Sequence, residues 1–405
     1  MLDHLDIYDP RERMIVGAID LALGAALLPA KLRRRRTRNV ARILLLRLER
    51  IGDLLMSLAA IQTVRTLAPN AQIDLVVGPW NEALARLIPG IDRVEVLAAA
   101  WLARDAPGHR ATELARHALA WRSRHYDLAI NFEGDIRTHV LPWLAGAGRR
   151  VGFGMAGGAP LLTDVVEHDA GRHVATNSLA LVEHAFGLAA GSLPGAQSPE
   201  GLRRSRLAIP EAARSAARAA LTQAAGGRLP ESLIAVHVSG GRAIKQWPPS
   251  RFAEAASVLA NDMRAAVVLT GTLEDSPLLD EAQELLRTRG VTVVRLDREV
   301  DLVVSAAILS LSRLVLTGDT GPMHLAAAVG TPVLAIFGPS MPWRYAPLVE
   351  PHRIVRVDLP CSPCNRIRLP PERCRGHVPD CLDRVTTDAV IAAGRELIGR
   401  ITRPI

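Results

Sequence analysis

The sequence predicts an α/β protein built from two doubly wound domains, and three observations support this fold class. From Ala41 onward, short runs of β-type residues alternate with helical stretches, a pattern typical of parallel sheets. The alternation stops once, over residues 187–210, where Gly, Pro and Ser are frequent and apolar periodicity is absent. A length of 405 residues is enough for two domains that each bury a core.

The first domain, 41–190, opens with a strand and a helix predicted from Asp53 to Leu67. Its strand candidates are Ile43–Leu48, Ile73–Val77, Val94–Leu97, Leu128–Phe132 and Arg150–Phe153. The second domain, 211–360, repeats the pattern with candidates Leu233–Val238, Ala266–Thr270, Val291–Leu296, Leu314–Thr317 and Pro332–Phe337. Ligands of doubly wound domains bind at the carboxyl ends of the strands, so the two domains are expected to face one cleft.

Two further segments follow the second domain. A Cys-rich segment spans residues 361–385, and a helix is predicted over the last segment, 386–405. This helix is amphipathic, with Val390, Leu397 and Ile401 on one face. We expect that face to pack back across the first domain.

Residues 1–40 form an apolar and basic segment before the first strand. Met14 to Pro29 is mostly apolar but contains Asp20, and it is shorter than the roughly 20 residues needed to span a bilayer. A basic block follows it where a signal peptide would have a small-residue cleavage site. Two placements stay open, a helix lying on the cytoplasmic leaflet and a helix lying against the protein.

The net charge of +8 is concentrated in that basic block. Six basic residues fall within eight positions: Lys31, Arg33, Arg34, Arg35, Arg36 and Arg38. Aromatic residues are 3% of the chain and do not interleave with the block, which argues against a nucleic-acid partner. Basic runs beside apolar segments are attracted to anionic membranes. The expected location is therefore cytoplasmic, peripheral to a membrane.

The segment 317–324 predicts a phosphate site. It joins a short β-type run to a helix former, and Asp319 or Thr320 can cap the helix while Pro322 suits its first turn. The free N–H groups of such a turn and the helix dipole attract a pyrophosphate, to which His324 could donate. Many α/β folds contain similar units that bind nothing, so this segment alone leaves both interpretations open.

Two other segments carry candidate chemistry. Ser239, Gly240 and Gly241 follow the first strand of the second domain, where glycine permits close backbone approach, and Lys245 offers a point charge for a diphosphate. Asp53 lies near the start of the first helix of the first domain. Its carboxylate can cap that helix, or it can take a proton from a substrate hydroxyl.

Together these segments resemble glycosyltransferase family 9, the bacterial heptosyltransferases of the lipopolysaccharide core. The resemblance runs from about Ala41 to the C-terminus. It is carried by Ile51-Gly52-Asp53, by Lys245 with Trp247-Pro248, and by Gly318 to His324. It implies the GT-B architecture, two Rossmann-like domains facing a cleft, and transfer of a heptose or related sugar from a nucleotide-diphospho-sugar such as ADP-heptose.

The resemblance also implies roles for individual residues. Asp53 is the expected general base of an inverting displacement, and Lys245 is expected to contact phosphate. Donor-binding residues are expected at Ser239, Gly240, Gly241, Glu274, Asp319, Thr320, Gly321 and His324. The acceptor is expected to be a lipid-linked, lipopolysaccharide-core-type or other glycan hydroxyl, with no cofactor needed for catalysis. Glu49 and Arg50 stand where family members often have small hydroxyl residues. This departure affects which acceptor is expected, but not the expected fold or donor site.

Two other functions stay open. A UDP-sugar 2-epimerase-like enzyme of the same architecture would act on its donor without an acceptor. A non-catalytic nucleotide-binding protein at the membrane is the other alternative, but binding alone would not need the carboxylate of Asp53.

All four cysteines lie in the 361–385 segment. Cys361 and Cys364 have C-x₂-C spacing, and Cys374 and Cys381 follow. This set is typical of a closed structural Zn or Fe site. Unligated thiols and disulfides are the alternatives. Two side chains after the strand Leu128–Phe132, Glu133 and Asp135, are further candidates for the acceptor side, whereas His237 is expected to be a packed core histidine.

Overall fold

The computed structural model describes residues 5, 7, 9–32, 40–102, 108, 110–193, 198, 201, 205–296 and 300–401, of which 28–32 by backbone only. The chain divides into two compact units, residues 1–205 and 206–405. The boundary falls inside the Gly-, Pro- and Ser-rich segment 187–210.

The first unit contains a six-stranded parallel sheet. Its strands are β1 (Arg42–Arg47), β2 (Gln72–Val77), β3 (Arg93–Val96), β4 (Leu128–Asn131), β5 (Arg149–Phe153) and β6 (Asp164–Val166). Its helices are α1 (Pro10–Leu32), α2 (Ile51–Met56), α3 (Leu58–Leu67), α4 (Glu82–Ala85), α5 (Ala111–Ala120), α6 (Ile136–Leu144) and α7 (Val174–Phe186). The strand order is β3-β2-β1-β4-β5-β6.

The second unit contains a second six-stranded parallel sheet. Its strands are β7 (Leu233–His237), β8 (Ala266–Thr270), β9 (Val293–Leu296), β10 (Leu314–Gly318), β11 (Val333–Ile336) and β12 (His352–Val355). Its helices are α8 (Glu211–Ala224), α9 (Pro249–Met263), α10 (Ser276–Thr288), α11 (Leu302–Leu311), α12 (Gly321–Ala328), α13 (Pro342–Tyr345), α14 (Asp380–Asp383) and α15 (Thr387–Ile401).

Both sheets have the Rossmann strand order. The second runs β12-β11-β10-β7-β8-β9, which is the order of the first when its strands are counted from β7. In each unit the order reverses beside the first strand, between β1 and β4 and between β7 and β10. Ligands of such sheets bind at this reversal, outside the carboxyl ends of the strands. The predicted α/β fold of two doubly wound domains is confirmed.

The helix predicted from Asp53 to Leu67 is two helices, α2 and α3, which meet at Ser57. The Ser57 hydroxyl donates to the Asp53 carbonyl and lies 3.2 Å from the Ser178 hydroxyl. Serine competes with helical hydrogen bonding through its own hydroxyl, and this buried serine marks the break.

Helix α1 lies against the first unit, as one of its two predicted placements required. Val16 and Gly17 are buried, and Asp20 accepts a hydrogen bond of 2.7 Å from the Gly158 backbone N–H. Among the described residues, no helix has the length and apolar character to cross a membrane. The basic residues Arg33 to Arg36 and Arg38 lie outside the described part of the chain.

The prediction that the C-terminal helix packs on the first domain is wrong. Helix α15 packs against α9 and against strands β11 and β12 of the second unit. Val390 and Leu397 are fully buried in the core of that unit, and Arg353 and Arg395 form ion pairs with Glu396 and Asp262 across the contact. The amphipathic face shows that the helix needs an apolar partner, and the edge of the second sheet supplies it.

Candidate active site

The phosphate-binding candidates meet at the strand-order reversal of the second sheet. Strand β10 ends at Gly318, and Thr320 precedes α12 in an extended backbone conformation. The Thr320 side chain makes no capping hydrogen bond to α12, so it leaves the leading N–H groups of the helix to other partners. The Thr320 hydroxyl lies 3.1 Å from that of Thr317, which fixes its position beside the helix start.

Lys245 and Asp319 form an ion pair at this helix start. Lys245 Nζ lies 3.0 Å from Asp319 Oδ2 and also donates to the Asp319 carbonyl. Burial acts to raise the pKa of Asp319, but Lys245, a hydrogen bond from Ser340 and the proximity of His324 outweigh it and hold that pKa below its usual value. The structure therefore brings together three predicted residues, Lys245, Asp319 and His324.

The Gly-rich loop after β7 lies against the backbone of Lys245. A Cβ atom at Gly240 would come within 2.7 Å of the Lys245 carbonyl carbon, so only glycine fits there. Gln246 Oε1 accepts from the Gly240 N–H at 2.7 Å, and Trp247 is buried with its indole N–H donating to the Val385 carbonyl. Gln246 and Trp247 therefore brace the loop that presents Lys245.

A second acidic position, Asp275, was not predicted. Asp275 Oδ2 accepts from the N–H and hydroxyl of Thr272, and Ser239 also donates to its carboxylate. Burial favours a higher pKa for Asp275, but these hydrogen bonds and His237 lower it below its usual value. The neighbouring Glu274 is exposed. Asp275 ties the loop after β8 to Ser239, while the ligand contact of the exposed Glu274 stays a prediction.

His237 matches its predicted structural role. Its Nδ1 lies 3.0 Å from the Thr270 carbonyl on the neighbouring strand β8, and burial lowers the pKa of its imidazole. It therefore stays neutral at pH 7 and connects two strands.

Asp53 is held at the carboxyl end of β1 in the first unit. Its Oδ2 accepts from the Arg50 N–H at 3.1 Å, which is the predicted capping role. Its Oδ1 lies 3.6 Å from an Arg47 guanidinium nitrogen, and the side chain is 28% exposed. One oxygen therefore caps α2, while the partly exposed carboxylate can still contact a ligand.

Arg47 ties this carboxylate to the next strand. The guanidinium is buried, and it donates to the carbonyls of Asp53 at 3.1 Å and Phe132 at 2.8 Å. It also lies 3.3 Å from the Glu49 carboxylate. A guanidinium has five N–H donors in a fixed arrangement, so it can bind oxygen atoms from several loops at once.

Glu133 lies in the adjacent loop after β4 and is almost fully buried. Its Oε1 accepts from the backbone N–H groups of Leu48 and Glu49, the latter at 3.0 Å. Burial, together with the nearby Glu49 carboxylate, raises the pKa of Glu133 to about 8 against the opposing effect of Arg47 and the two N–H groups. Glu133 therefore shapes the loop that leads to Asp53.

The other predicted acceptor-side acid, Asp135, caps α6. Its Oδ1 accepts from the Arg137 N–H at 2.8 Å, and its carboxylate pairs with the Arg137 guanidinium. Nearby, the buried His139 ring bridges Asn131 at 2.8 Å and the Phe153 carbonyl at 2.8 Å, and burial lowers its pKa to about 4. This neutral histidine, which sequence reasoning missed, links the carboxyl ends of β4 and β5.

Glu49 and Arg50 also have structural partners. The Arg50 guanidinium stacks over the Trp80 ring at 4.5 Å, and the Glu49 carbonyl accepts from Trp80 Nε1 at 2.6 Å and Asn81 Nδ2 at 2.7 Å. Both residues thus pin the loop before Asp53 to the segment after β2.

A pH dependence follows from Glu133. Its pKa is raised in the folded state, so its stabilising effect is complete below the unfolded pKa and is lost as pH rises to about 8. We expect Glu133→Gln to flatten this part of the stability curve, whose slope approaches about 1.4 kcal/mol per pH unit for one proton. Urea unfolding from pH 5 to 8.5 measures it, with Glu284→Gln at an exposed position on α10 as control. An unchanged slope would show that Glu133 is ionised in the folded protein.

The four cysteines are present as free thiols. Cys381 is buried, while the other three are partly exposed. The all-thiol donor set suits Zn or Fe, but across the described residues no three His, Cys, Asp or Glu side chains are arranged to hold a metal ion. The side chains as placed do not form the predicted site, so the metal stays a prediction.

Two Rossmann-order units in tandem, with a cation-bearing helix start in one and a partly exposed carboxylate in the other, define a protein of the GT-B glycosyltransferase class. Residues 114–372 match the model of glycosyltransferase family 9 (heptosyltransferase). The chain therefore belongs to this family and is a glycosyltransferase.

Individual proteins are similar over most of the chain. Lipopolysaccharide heptosyltransferase 2 of Escherichia coli is 26% identical over 316 residues, 76% of this chain and 85% of that protein. Lipooligosaccharide heptosyltransferase 2 of Haemophilus influenzae is 27% identical over 76% of this chain and 86% of that protein. The solved structure of E. coli ADP-heptose lipopolysaccharide heptosyltransferase II has a TM-score of 0.70 at 22% identity, covering 89% of this chain and 99% of that one.

Proposed function

We propose that this protein transfers a heptose or related sugar, with inversion, from a nucleotide-diphospho-sugar to a hydroxyl of a lipid-linked, lipopolysaccharide-core-type acceptor. ADP-heptose is the proposed donor. The observation that carries the proposal is the Lys245–Asp319 pair at the start of α12, at the strand-order reversal of the second sheet. Its support is membership of the heptosyltransferase family and similarity to heptosyltransferases named for lipopolysaccharide and ADP-heptose.

Donor binding uses the second unit. The diphosphate accepts from the leading N–H groups of α12, where the helix dipole favours negative charge. Lys245 adds a charge-assisted hydrogen bond, and His324, one turn into the helix, lies near enough to Asp319 to affect its pKa. Glu274 accepts from a hydroxyl of the nucleoside ribose.

The displacement uses Asp53. Its carboxylate accepts the proton of the acceptor hydroxyl while that oxygen attacks the anomeric carbon, and the bond from that carbon to the diphosphate oxygen breaks. The negative charge that develops on the leaving diphosphate is stabilised by Lys245 and the α12 N–H groups. No metal-binding acidic pair is needed for this step, because fixed cationic and dipolar groups take over the charge.

The acceptor is proposed to be membrane-anchored, and the enzyme to work at the cytoplasmic face of the inner membrane, peripheral to the bilayer. The basic block at 31–38 supports this location.

A donor screen tests the proposal. Purified protein is incubated with ADP-sugars and UDP-sugars, with and without deacylated lipopolysaccharide, while nucleoside diphosphate release is measured. We expect release from ADP-heptose only when acceptor is present. Conversion of a UDP-sugar without acceptor would instead support an epimerase, and binding of nucleotide without any turnover would support a non-catalytic protein.

We also propose that Cys361, Cys364, Cys374 and Cys381 bind a structural Zn or Fe ion. Four thiolates in one short segment supply the four donors that such an ion takes, and the site would brace the chain before α15. Elemental analysis of protein purified without chelator is expected to give about one metal per chain. The matched variant Cys361→Ser/Cys364→Ser should lose it and unfold at lower temperature. A metal-free wild-type protein with full activity and stability would show that these cysteines do not form a metal site.

A further inference from the structure

Helix α1 docks on the first unit through one face. The inward positions Val16, Gly17 and Asp20 follow helical spacing, and Val16 packs with Leu5, Ile7 and Ala156. A Cβ atom on Gly157 would come within 2.2 Å of Val16, so this loop glycine permits the contact. The Asp20 carboxylate completes it by accepting from the Gly158 N–H.

The loop that contacts α1 lies at the ligand edge of the first sheet, which is the edge formed by the carboxyl ends of its strands. Residues 154–161 follow β5, and Ala156 forms a bridge with Asp135 in the loop after β4. Strand β4 in turn pairs with β1, and the loop after β1 leads to Asp53 in the first turn of α2. With neighbouring strands about 4.8 Å apart, the two strand spacings from β5 to β1 put the loop that contacts α1 roughly 10 Å from the carboxyl end of β1.

The outer face of α1 is apolar and exposed. Met14, Ile15, Ile19 and Leu21 are 60%, 61%, 43% and 70% exposed. From Met14 to Ala30 the single charged residue is Asp20, and it is used inward. A helix on an aqueous surface normally carries charged residues on its outer face, and a contiguous exposed apolar patch marks an interaction site.

The basic residues that follow α1 in the sequence indicate what covers its exposed apolar face. The six basic residues of positions 31–38 follow the apolar stretch directly in the sequence. An apolar helix face followed by a polybasic run is the combination that binds anionic lipid, since apolar burial and electrostatic attraction add together. A protein partner would not need so dense a run of like charge.

We propose that the outer face of α1, formed by Met14, Ile15, Ile19 and Leu21, docks on an anionic phospholipid surface. The docked helix holds the ligand edge of the first unit at the bilayer. This inference rests on the proposed function, since it delivers a membrane-anchored acceptor to the edge that carries Asp53.

Vesicle flotation with the full chain tests the docking. Wild-type protein is mixed with vesicles of phosphatidylcholine alone or with 30% phosphatidylglycerol. We expect flotation with the anionic vesicles, weakened by about 0.5 M salt because screening shortens the reach of the charges. Ile15→Glu/Leu21→Glu should reduce partitioning at least about tenfold, since each replacement removes an apolar side chain from the interface. The matched control is Leu119→Glu, at a 45% exposed leucine on α5, which should float like wild type.

Activity separates this inference from the proposed function. The α1 double variant should keep wild-type turnover with deacylated, water-soluble acceptor and lose at least about tenfold with acceptor embedded in anionic vesicles. If the wild type and both variants showed no turnover with either acceptor, the proposed function would be wrong while the flotation result would still stand. Equal flotation of wild type and double variant would overturn the docking. The docking would also be overturned if the wild type were a dimer and the double variant a monomer, because a second copy of the chain would then cover this face.

Discussion

Asp53→Asn is expected to slow sugar transfer by about 10²–10⁴-fold while ADP still binds. The substitution is isosteric, and the asparagine oxygen can still accept from the Arg50 N–H, so the start of α2 is preserved. What is lost is the proton acceptor, and general-base catalysis contributes a factor of about 10²–10⁴. We expect kcat to fall by about that factor with little change in the donor KM, because the proposed donor contacts belong to the second unit. Product formation and calorimetric ADP binding measure the two effects.

The matched control for this variant is Asp127→Asn. Asp127 Oδ2 accepts from the N–H groups of Ala41 and Arg42 at the opposite end of the same strand, β1. It therefore reports the cost of replacing a backbone-binding carboxylate by an amide away from the ligand edge. If Asp53→Asn and Asp127→Asn reduced kcat equally, Asp53 would be a capping residue and the base would have to be sought elsewhere.

The fold could be predicted because its signals are local. The central strands are buried on both faces, so each appears in the sequence as a short apolar run between turn residues. Strands β6 and β12 were missed because both lie at sheet edges and contain polar residues such as Asp164 and Arg353. Their pairing with a neighbouring strand defines them, and that pairing has no local signal.

The candidate site was predictable in part for the same reason. Asp319, Thr320 and His324 lie on one strand–turn–helix unit, whose pattern is visible over eight residues. The role of Glu133 was not visible, because its partners Leu48 and Glu49 are 85 and 84 residues away in the sequence. The partner of α15 was also hidden, since an apolar helix face does not specify which surface it covers.

The composition gives Lys245 a special place. The chain has only two lysines, Lys31 and Lys245, among its 49 basic Lys and Arg residues. Arginine is used at almost every other basic position, yet a compact ammonium stands where the diphosphate is proposed to bind. The Asp319 side chain is only 12% exposed, and a compact ammonium fits beside it. The ammonium can turn its donors toward phosphate, whereas the planar guanidinium is larger and rigid.

Lys245→Met is expected to reduce the donor kcat/KM by about 10- to 150-fold, from the roughly 1.5–3 kcal/mol of a hydrogen bond to a charged group. Both KM and kcat should change, because the ammonium contacts the diphosphate before and during departure. Steady-state kinetics with varied donor measure this. Lys31→Arg is the matched control and should behave like wild type with soluble acceptor.

A stability effect has to be separated from this kinetic one. In the wild type the lowered pKa of Asp319 makes its ionised form stabilising above the unfolded pKa, an effect lost as pH falls through the folded pKa. Lys245→Met leaves that carboxylate buried without its cation, which is costly. Adding Asp319→Asn removes the unpaired charge, so the double variant should regain stability at pH 7 but not donor kinetics.

Chemical labelling gives an independent measurement on the same residue. In Lys31→Arg the side-chain amine of Lys245 and the chain terminus are the amines left to react. We expect an amine-specific reagent to inactivate this variant, with ADP slowing the loss because the diphosphate covers the ammonium. The Lys245→Met/Lys31→Arg variant should be insensitive to the reagent. Unprotected modification of Lys245 with full retained activity would place the diphosphate somewhere other than the start of α12.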